Sequence, residues 1–467
     1  MSSTFFDAVI VGGGISGLAT AWGLQKRGLR IAVLEAADRV GGTIGTTRAD
    51  GCLVESGPNS MLETSPAIGQ LLDEIGLAGQ RLVANPAAKK RFVLRGGRLI
   101  PVPMSPGGFF ATPLFGLGTK LALVREPFVK PAAGDRDESV ADFVRRRLGR
   151  EFLDYAINPF VSGVYAGDPE RLSVRAAFPR LAELEAQHGS LIRGQIAGAL
   201  ERKRNPEKSK HSAAMVSFGE GMQAFTDGIA AKLHSISVAA EVAAVVPGAE
   251  GRLTVRANSG ARARELSARA VVISVPAYAA ARLLAPLSAT AARELAAIEY
   301  PPVAVVVSVY ERSLISHPLD GFGFLVPALE HRRILGTIFS STLFENRGPD
   351  GHAVLTTFVG GTRQPELGRA AEGDIALTVS AELKSLLHVR GSPKFTQVIR
   401  WPQAIPQYNL GHLDRVATIA KTEDEYPGLF LCANWRGGVS VSDCIKSAAA
   451  CAERVAGFLE TTSAPRP

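Results

Sequence analysis

Cysteine is scarce in this chain. It has four in 467 residues, Cys52, Cys432, Cys444 and Cys451, none in C-x-x-C spacing. That excludes a redox dithiol of that kind and a zinc knuckle, and leaves buried thiols in a reducing compartment as the expectation. An acidic excess is also missing. Lys and Arg number 52 against 44 Asp and Glu, a net charge of +8 and a pI of about 9.4. A basic surface can meet nucleic acid, anionic lipid or an acidic small molecule. With no zinc-ligand spacing, RNP pattern or long basic run, nucleic acid is not expected as a partner. The nearest tract, ERKRNPEKSKH at 201–211, reads as a solvated loop. Internal repeats and low-complexity tracts are lacking. The opening MSSTFFDAVIVGGG runs directly into a strand, leaving no room for a signal or transit peptide, so a cytoplasmic protein is expected.

Charge is missing locally as well. Leu99 to Thr119, LIPVPMSPGGFFATPLFGLGT, is 21 residues without a charged side chain. Pro101, Pro103, Pro106 and Pro113 break helix there, so the stretch is not a transmembrane helix. An apolar, irregular segment is expected instead, serving as a channel wall, an interior segment or an interfacial patch.

What is present is a globular composition, 46% hydrophobic and 21% charged, on a chain long enough for two or three domains. VGGGISGL at 11–18 contains G-x-G-x-x-G in Gly12, Gly14 and Gly17. It follows a strand at Phe6–Val11 and opens a helix expected over Gly17–Arg27; a second strand follows at Arg30–Glu35. Such a turn lets a pyrophosphate approach the free N–H groups of the helix N-terminus. Glu35, 23 residues after Gly12, suits a ribose hydroxyl pair and would repel a 2′-phosphate, which argues against NADP. Further buried parallel strands are expected at Ala270–Pro276 and Gly428–Ala433, the latter followed by Gly437, Gly438 and a helix over 442–457. One doubly wound sheet built from three separated pieces accounts for them, with insertions that read as helical over 135–200 and β-rich over 300–360.

After Glu35 the chain continues as EAADRVGGT, an E-x-x-x-R-x-G-G pattern with Arg39, Gly41 and Gly42, which can bring a cation and bare backbone amides to the same pyrophosphate. This pattern, with GLFLCANWRGGVSVSDCIKSAAACA near the C-terminus, resembles the FAD-dependent amine oxidase and phytoene desaturase superfamily. Within it, ESGPNS (55–60), KRFVLRGGRLIPVP (90–103), VSGVYAGDPERLSVRAAFP (161–179), GFGFLVPA (321–328), ILGTIFSSTLF (334–344), VGGTRQP (359–365) and IPQYNLGH (405–412) resemble the oxygen-dependent protoporphyrinogen oxidase family, nearly end to end. Where that family has Asn-Asp-Cys at the last helix, this chain has Ser442-Asp443-Cys444, and Ser442 is expected to cap the helix.

The resemblance implies an α/β fold in three parts. An FAD-binding, Rossmann-like domain of the p-hydroxybenzoate hydroxylase type would comprise 1–86, 212–286 and 416–467. An α+β substrate domain would comprise 87–97 and 287–415, and a helical membrane-associating domain 98–211. FAD would be held non-covalently, since RWPQAIPQYNLGH offers no cysteine for attachment. The cofactor residues implied are Gly12, Gly13, Gly14, Ile15, Ser16, Gly17, Glu35, Ala36, Arg39, Gly41, Gly42, Thr43, Gly57, Pro58, Asn59, Ser60, Val242, Trp401, Val439, Ser440 and Val441. The last three belong to a helix N-terminus whose positive end would favour negative charge on the reduced flavin.

The reaction implied is six-electron oxidation of protoporphyrinogen IX, with O2 as acceptor and peroxide as product. Arg91 matches the propionate-binding arginine, with Arg95 as its rival four residues on; Leu325 and Ile338 match positions sandwiching a pyrrole, Phe358 a stacking aromatic, and Gly163 a close backbone approach. By pattern alone these apolar residues read as ordinary core. No acid or base stands out, since His188, His211 and His412 are isolated, so catalysis would rest on positioning substrate against flavin N5. A homodimer at the inner membrane face is further implied. Coproporphyrinogen III oxidation, an amine or carotenoid oxidase, and a flavoprotein scaffold without turnover remain as alternatives. One arginine among apolar residues favours the porphyrinogen with two propionates over that with four, unless Arg175 or Arg332 folds into the site.

Overall fold

A computed structural model describes residues 4–131, 137–204, 213–260 and 262–463. Of the basic tract at 201–211 only 201–204 are described, ending a helix, and His211 lies outside the described residues.

Two seven-stranded sheets organise the chain. In the first, Thr4–Val11 pairs in parallel with Ile31–Leu34 on one side and Arg262–Ile273 on the other, and Leu429–Leu431 lies parallel to the end of the latter. Ile236–Ser237 extends the parallel edge, while Leu253–Ser259 and Ala240–Pro247 continue antiparallel from Arg262–Ile273. The parallel strands are continuous apolar runs because both faces are covered. On one face Ala8, Ile10 and Val272 meet helices Ile15–Gln25 and Val441–Ser463; on the other Val9, Val271 and Ile273 meet Ala277–Leu284 and Ala289–Ala296. Small residues set the helix spacing: a Cβ on Gly23 would lie 2.9 Å from that of Ala452.

Two helix boundaries differ from expectation. The first helix begins at Ile15 and not at Gly17, because Gly14 is extended (φ −72°, ψ 175°) and acts as N-cap. The last helix continues through Gly457 to Ser463; space is open around Gly457, so nothing forces a break there.

The second sheet runs in the order Phe395–Trp401, Val303–Glu311, His352–Gly360, Gly336–Phe339, Gly321–Leu325, Lys90–Arg95, Arg98–Pro101. One face, with Ala304, Val306, Phe324 and Leu355, packs on Ile375, Val379 and Leu383 of helix Glu372–Leu387. Part of the other is met by Phe152, Tyr155 and Ala156 and by helix Asn158–Tyr165, which pack in turn on further helices of the 137–204 region such as Val140–Leu148. Those helices are tied by a buried cluster in which Arg147 pairs with Glu126 and Glu185, while Glu126 also accepts the Leu191 and Ile192 amides. Both Arg147 and Glu126 lose their water, which only such complete pairing offsets.

The uncharged stretch at 99–119 is more regular than its prolines suggest. It contains the end of strand Arg98–Pro101, a helix at Pro106–Ala111 and the start of one at Leu117–Arg125. Pro106 occupies the first helical position, where its missing N–H costs nothing, and the Ser105 hydroxyl accepts the Gly108 amide as a cap. Leu114 and Phe115 are buried against Val93, whereas Met104, Phe110 and Leu117 are exposed. Among the described residues no helix is long and apolar enough to cross a membrane.

Candidate active site

The glycine turn after the first strand is built for a ligand of bare backbone contacts. Gly12 (φ 108°) packs so closely on Ser274 that a Cβ would lie 2.6 Å from its carbonyl oxygen, and a Cβ on Gly17 would collide with the Gly12 carbonyl. Gly14 differs: no protein atom lies within 4 Å of where its Cβ would be. Helix Ile15–Gln25 has no side-chain cap and no acidic residue in its first turn, so no side chain caps the amides of Ile15, Ser16 and Gly17 at the positive end of the helix dipole. Glu35 takes the Gly13 amide at 2.6 Å and the Ala37 amide at 2.8 Å, which fixes its carboxylate beside exposed Ala36 and leaves further lone pairs for hydroxyl donors.

The second glycine pair closes over the first. Gly41 bridges Gly14 and donates its amide to the Gly13 carbonyl at 2.8 Å, and a Cβ on Gly42 would lie 3.6 Å from Gly14 Cα. Arg39 does not reach outwards. Its guanidinium donates to the carbonyls of Val40, Gly42 and Ile44, so in this structure it clamps the loop that carries the glycines. Thr43 lies against Gly57, where a Cβ would meet its carbonyl at 2.2 Å. The Asn59 side chain turns back to the Gly57 carbonyl, between Pro58 and Ser60. Trp401, from the second sheet, donates its indole N–H to the Ser56 carbonyl at 2.7 Å, tying that sheet to the same segment.

The third piece arrives from the C-terminus. Val441 packs with Ile15 and Val40, placing the start of the last helix beside the first. The capping residue is Ser440, not Ser442. The Ser440 hydroxyl accepts the Asp443 amide at 3.1 Å and donates to the Asp443 carboxylate at 2.6 Å. Ser442 lies inside the first turn and donates to the Leu62 carbonyl. Val439 precedes the cap, and Val242 is buried in the first sheet at a bulge between Val242 and Ala244. A trough of backbone without Cβ atoms, floored by uncapped helix amides, therefore fits the pyrophosphate of a dinucleotide cofactor.

The five positions expected to meet substrate come together, four of them by strand register. Arg91 lies opposite Gly323 and Gly323 opposite Ile338, while Leu325 lies opposite Gly336 and Gly336 opposite Phe358. Opposed residues share a face, so Arg91, Leu325, Ile338 and Phe358 project from four adjacent strands to one side, the side that also carries Trp401. Gly163, on helix Asn158–Tyr165, lets that helix close on the face, since a Cβ there would lie 2.7 Å from Leu325 Cδ2. Phe358 packs with Ala166, Val303 and Leu335.

The cations around this face have different fates. Arg95 donates to the Leu114 carbonyl, pairs with Glu151 at 2.7 Å and lies over the Tyr155 ring. Lys90 pairs with Asp320 and Arg332 with Glu382. The Arg91 guanidinium has no hydrogen-bond or ion-pair partner among the described residues and lies 5.6 Å from the Phe322 ring. Phe322 was not anticipated. Only the pairing of Lys90–Arg95 with Gly321–Leu325, remote in sequence, makes it a neighbour of Arg91.

His188 ends helix Pro179–His188. His412 is buried, its Nε2 donates to the Trp435 carbonyl at 3.0 Å, and burial pushes its pKa down to about 4. The four cysteines are buried and free.

A sequence profile described as flavin containing amine oxidoreductase matches residues 15–456. The chain is 36% identical to the chloroplastic protoporphyrinogen oxidase of Nicotiana tabacum, over 97% of this chain and 86% of the relative. It is 29% identical to the coproporphyrinogen III oxidase of Bacillus subtilis, over 95% and 97% respectively. A crystal structure from Exiguobacterium sp. 255-15, of a protein assigned as a protoporphyrinogen oxidase, superposes with a TM-score of 0.81 at 26% identity, covering 98% of this chain and 100% of that one.

Proposed function

This chain belongs to the flavin containing amine oxidoreductase family, and from that premise we propose that it is an FAD-dependent porphyrinogen oxidase whose preferred substrate is protoporphyrinogen IX. FAD is the cofactor, and the chemistry it supplies when bound is hydride acceptance, with O2 as the final acceptor and peroxide as product.

The chain's own residues would act by binding and orientation. The amides after Gly14 and the bare edge of Gly42 hold the pyrophosphate, Glu35 the ribose, and the Ser440–Val441 helix start the pyrimidine end of the ring. Leu325, Ile338 and Phe358 form an apolar wall for a macrocycle, and Arg91 takes a propionate. In this reading, 1–86, 212–286 and 416–467 form the FAD domain, 87–97 and 287–415 the substrate domain, and 98–211 the helical domain. The observation that carries the choice of substrate is the state of the cations. Arg91 is free to pair with a carboxylate, whereas Lys90, Arg95 and Arg332 already have carboxylates of their own. Two propionates suit such a face better than four, because a buried carboxylate without a partner is costly.

The helical region would also rest on a membrane surface. Met104, Leu117, Leu121 and Phe128 are 71%, 79%, 63% and 81% exposed, a concentration of outward apolar side chains on a basic protein. The substrate is tested by assaying protoporphyrinogen IX and coproporphyrinogen III side by side on the purified yellow protein. Higher kcat/KM for protoporphyrinogen, with peroxide released and no NAD needed, is expected. A clear advantage for coproporphyrinogen overturns the choice of substrate and leaves the flavin chemistry standing.

A further inference from the structure

In IPQYNLGH at 405–412, Ile405 packs in the cluster that also holds Phe358, whereas Tyr408 and His412 are buried against the C-terminal turn that leads into the last helix. Tyr408 spans that turn. Its hydroxyl donates to the Asn434 carbonyl at 2.6 Å and accepts the Gly438 amide at 3.0 Å, so one oxygen ties both ends of the 434–438 loop. His412 lies parallel to the Tyr408 ring, 4.2 Å between centroids, and donates to the Trp435 carbonyl inside the same loop. Trp435 in turn donates to the Val275 carbonyl at 3.1 Å, and Val275 lines the space beside Gly12. The loop needs such a clamp. Gly437 and Gly438 have φ of 90° and 121°, conformations without the steric preference that would hold them unaided.

We infer that Tyr408 and His412 are positioning residues that fix the 434–438 turn, and through it the amides at the start of the last helix, against the pyrimidine end of FAD. The inference rests on the proposed reading of Val439, Ser440 and Val441 as cofactor residues. Burial pushes the Tyr408 phenol up and the His412 imidazole down to about 4, so both clamp residues are neutral at neutral pH. Neither clamp residue then adds charge at the pyrimidine end, where the helix amides act beside the Asp443 carboxylate held by Ser440 and Lys446. The worth of these amides depends on being aimed before charge develops on the ring. Loosening the clamp should therefore weaken the reduced cofactor's binding more than the oxidised cofactor's.

The test is made on wild-type, Tyr408→Phe, His412→Phe and His412→Gln holoproteins. FAD affinity is measured by titrating apoprotein and following flavin fluorescence, and the midpoint potential by equilibration with redox dyes. Tyr408→Phe should bind FAD about tenfold more weakly. A further tenfold loss of preference for the reduced form would appear as a potential about 30 mV more negative. His412→Phe keeps a stacked ring and loses the donor, so it should shift the potential the same way. His412→Gln keeps an N–H donor and should restore most of it. Wild-type potentials in both phenylalanine variants, whatever their thermal stability, overturn the inference. A Tyr408→Phe chain that does not fold also overturns it, since the hydroxyl would then serve stability and not aim. Wild-type protein that takes up no FAD refutes the earlier cofactor reading instead.

Discussion

The two large sheets make their proposed sites from different materials. At the end of the first, the working surface is backbone: uncapped amides, Gly14 and Gly42 without side chains, and Arg39 turned inward to hold the loop. On one face of the second, the surface is side chain, contributed one residue at a time by four neighbouring strands. A backbone site should reject any added Cβ at its open edge. A side-chain site should respond to the charge and shape of particular residues and leave the cofactor alone.

Gly14→Val tests the backbone half most severely. The backbone of Gly14 lies in an extended region that any residue adopts, and no protein atom occupies the space where a Cβ would go. Valine should therefore fold and block only the ligand. Loss of even one charge-assisted pyrophosphate contact is about 1.5–3 kcal/mol, and steric exclusion adds to it, so the protein should purify colourless. Gly12→Ala is the contrast: its Cβ meets the Ser274 carbonyl at positive φ, so the variant should lose stability with or without FAD. A yellow Gly14→Val protein with full flavin occupancy would remove the pyrophosphate from this turn.

Arg91→Ala tests the side-chain half. Removing one charged contact to a propionate should lower kcat/KM about ten- to a hundredfold if the contact persists in the transition state. Flavin occupancy should not change. Arg91→Lys should recover part of the loss, since an ammonium lacks the planar fork. Arg95→Ala should behave differently, because its partners are Glu151 and the Leu114 carbonyl: melting temperature should fall more than catalysis does. The assignment fails if Arg95→Ala carries the kinetic effect and Arg91→Ala almost none.

The same contrast decides what could be read from the sequence. The first sheet was legible because parallel strands covered on both faces leave unbroken apolar runs, and because G-x-G-x-x-G stands between a strand and a helix with Glu35 following. The segments near residues 10, 270 and 430 do lie side by side. The second sheet was legible as β-rich but not as a face. Nothing local tells that Lys90–Arg95 joins Gly321–Leu325, so Arg91, Leu325, Ile338 and Phe358 pointed to a substrate only through family resemblance. Short-range chemistry also misled. Pro106 counted as a helix breaker when it begins a helix, and Ser442 as the cap when Ser440, two residues earlier, has the better geometry. The Tyr408 clamp left no signal at all, since its partners lie 26 and 30 residues away.

The smallest effect on catalysis should come from the surface that belongs to neither sheet. On helix Leu117–Arg125 and the turn after it, Leu117, Leu121, Val124 and Phe128 recur at helical spacing and are exposed. Thr119 faces inward and donates to Glu151, the partner of Arg95. The helix is thus fixed to the body through one face and shows apolar side chains on the other. Replacing outward residues should leave both sites untouched: Leu117→Asp/Leu121→Asp protein in detergent should keep kcat/KM within about twofold, as surface substitutions generally do. Binding to anionic vesicles should suffer instead. A leucine fully withdrawn from water contributes about 1.5–3 kcal/mol, so losing even partial insertion of two should weaken co-sedimentation more than about tenfold. High salt should release the wild type only incompletely, because apolar contact is not screened as charge is. Wild-type protein that ignores vesicles at low salt would return these leucines to a protein partner. A double variant that loses activity in detergent would show that the helix serves the substrate face after all.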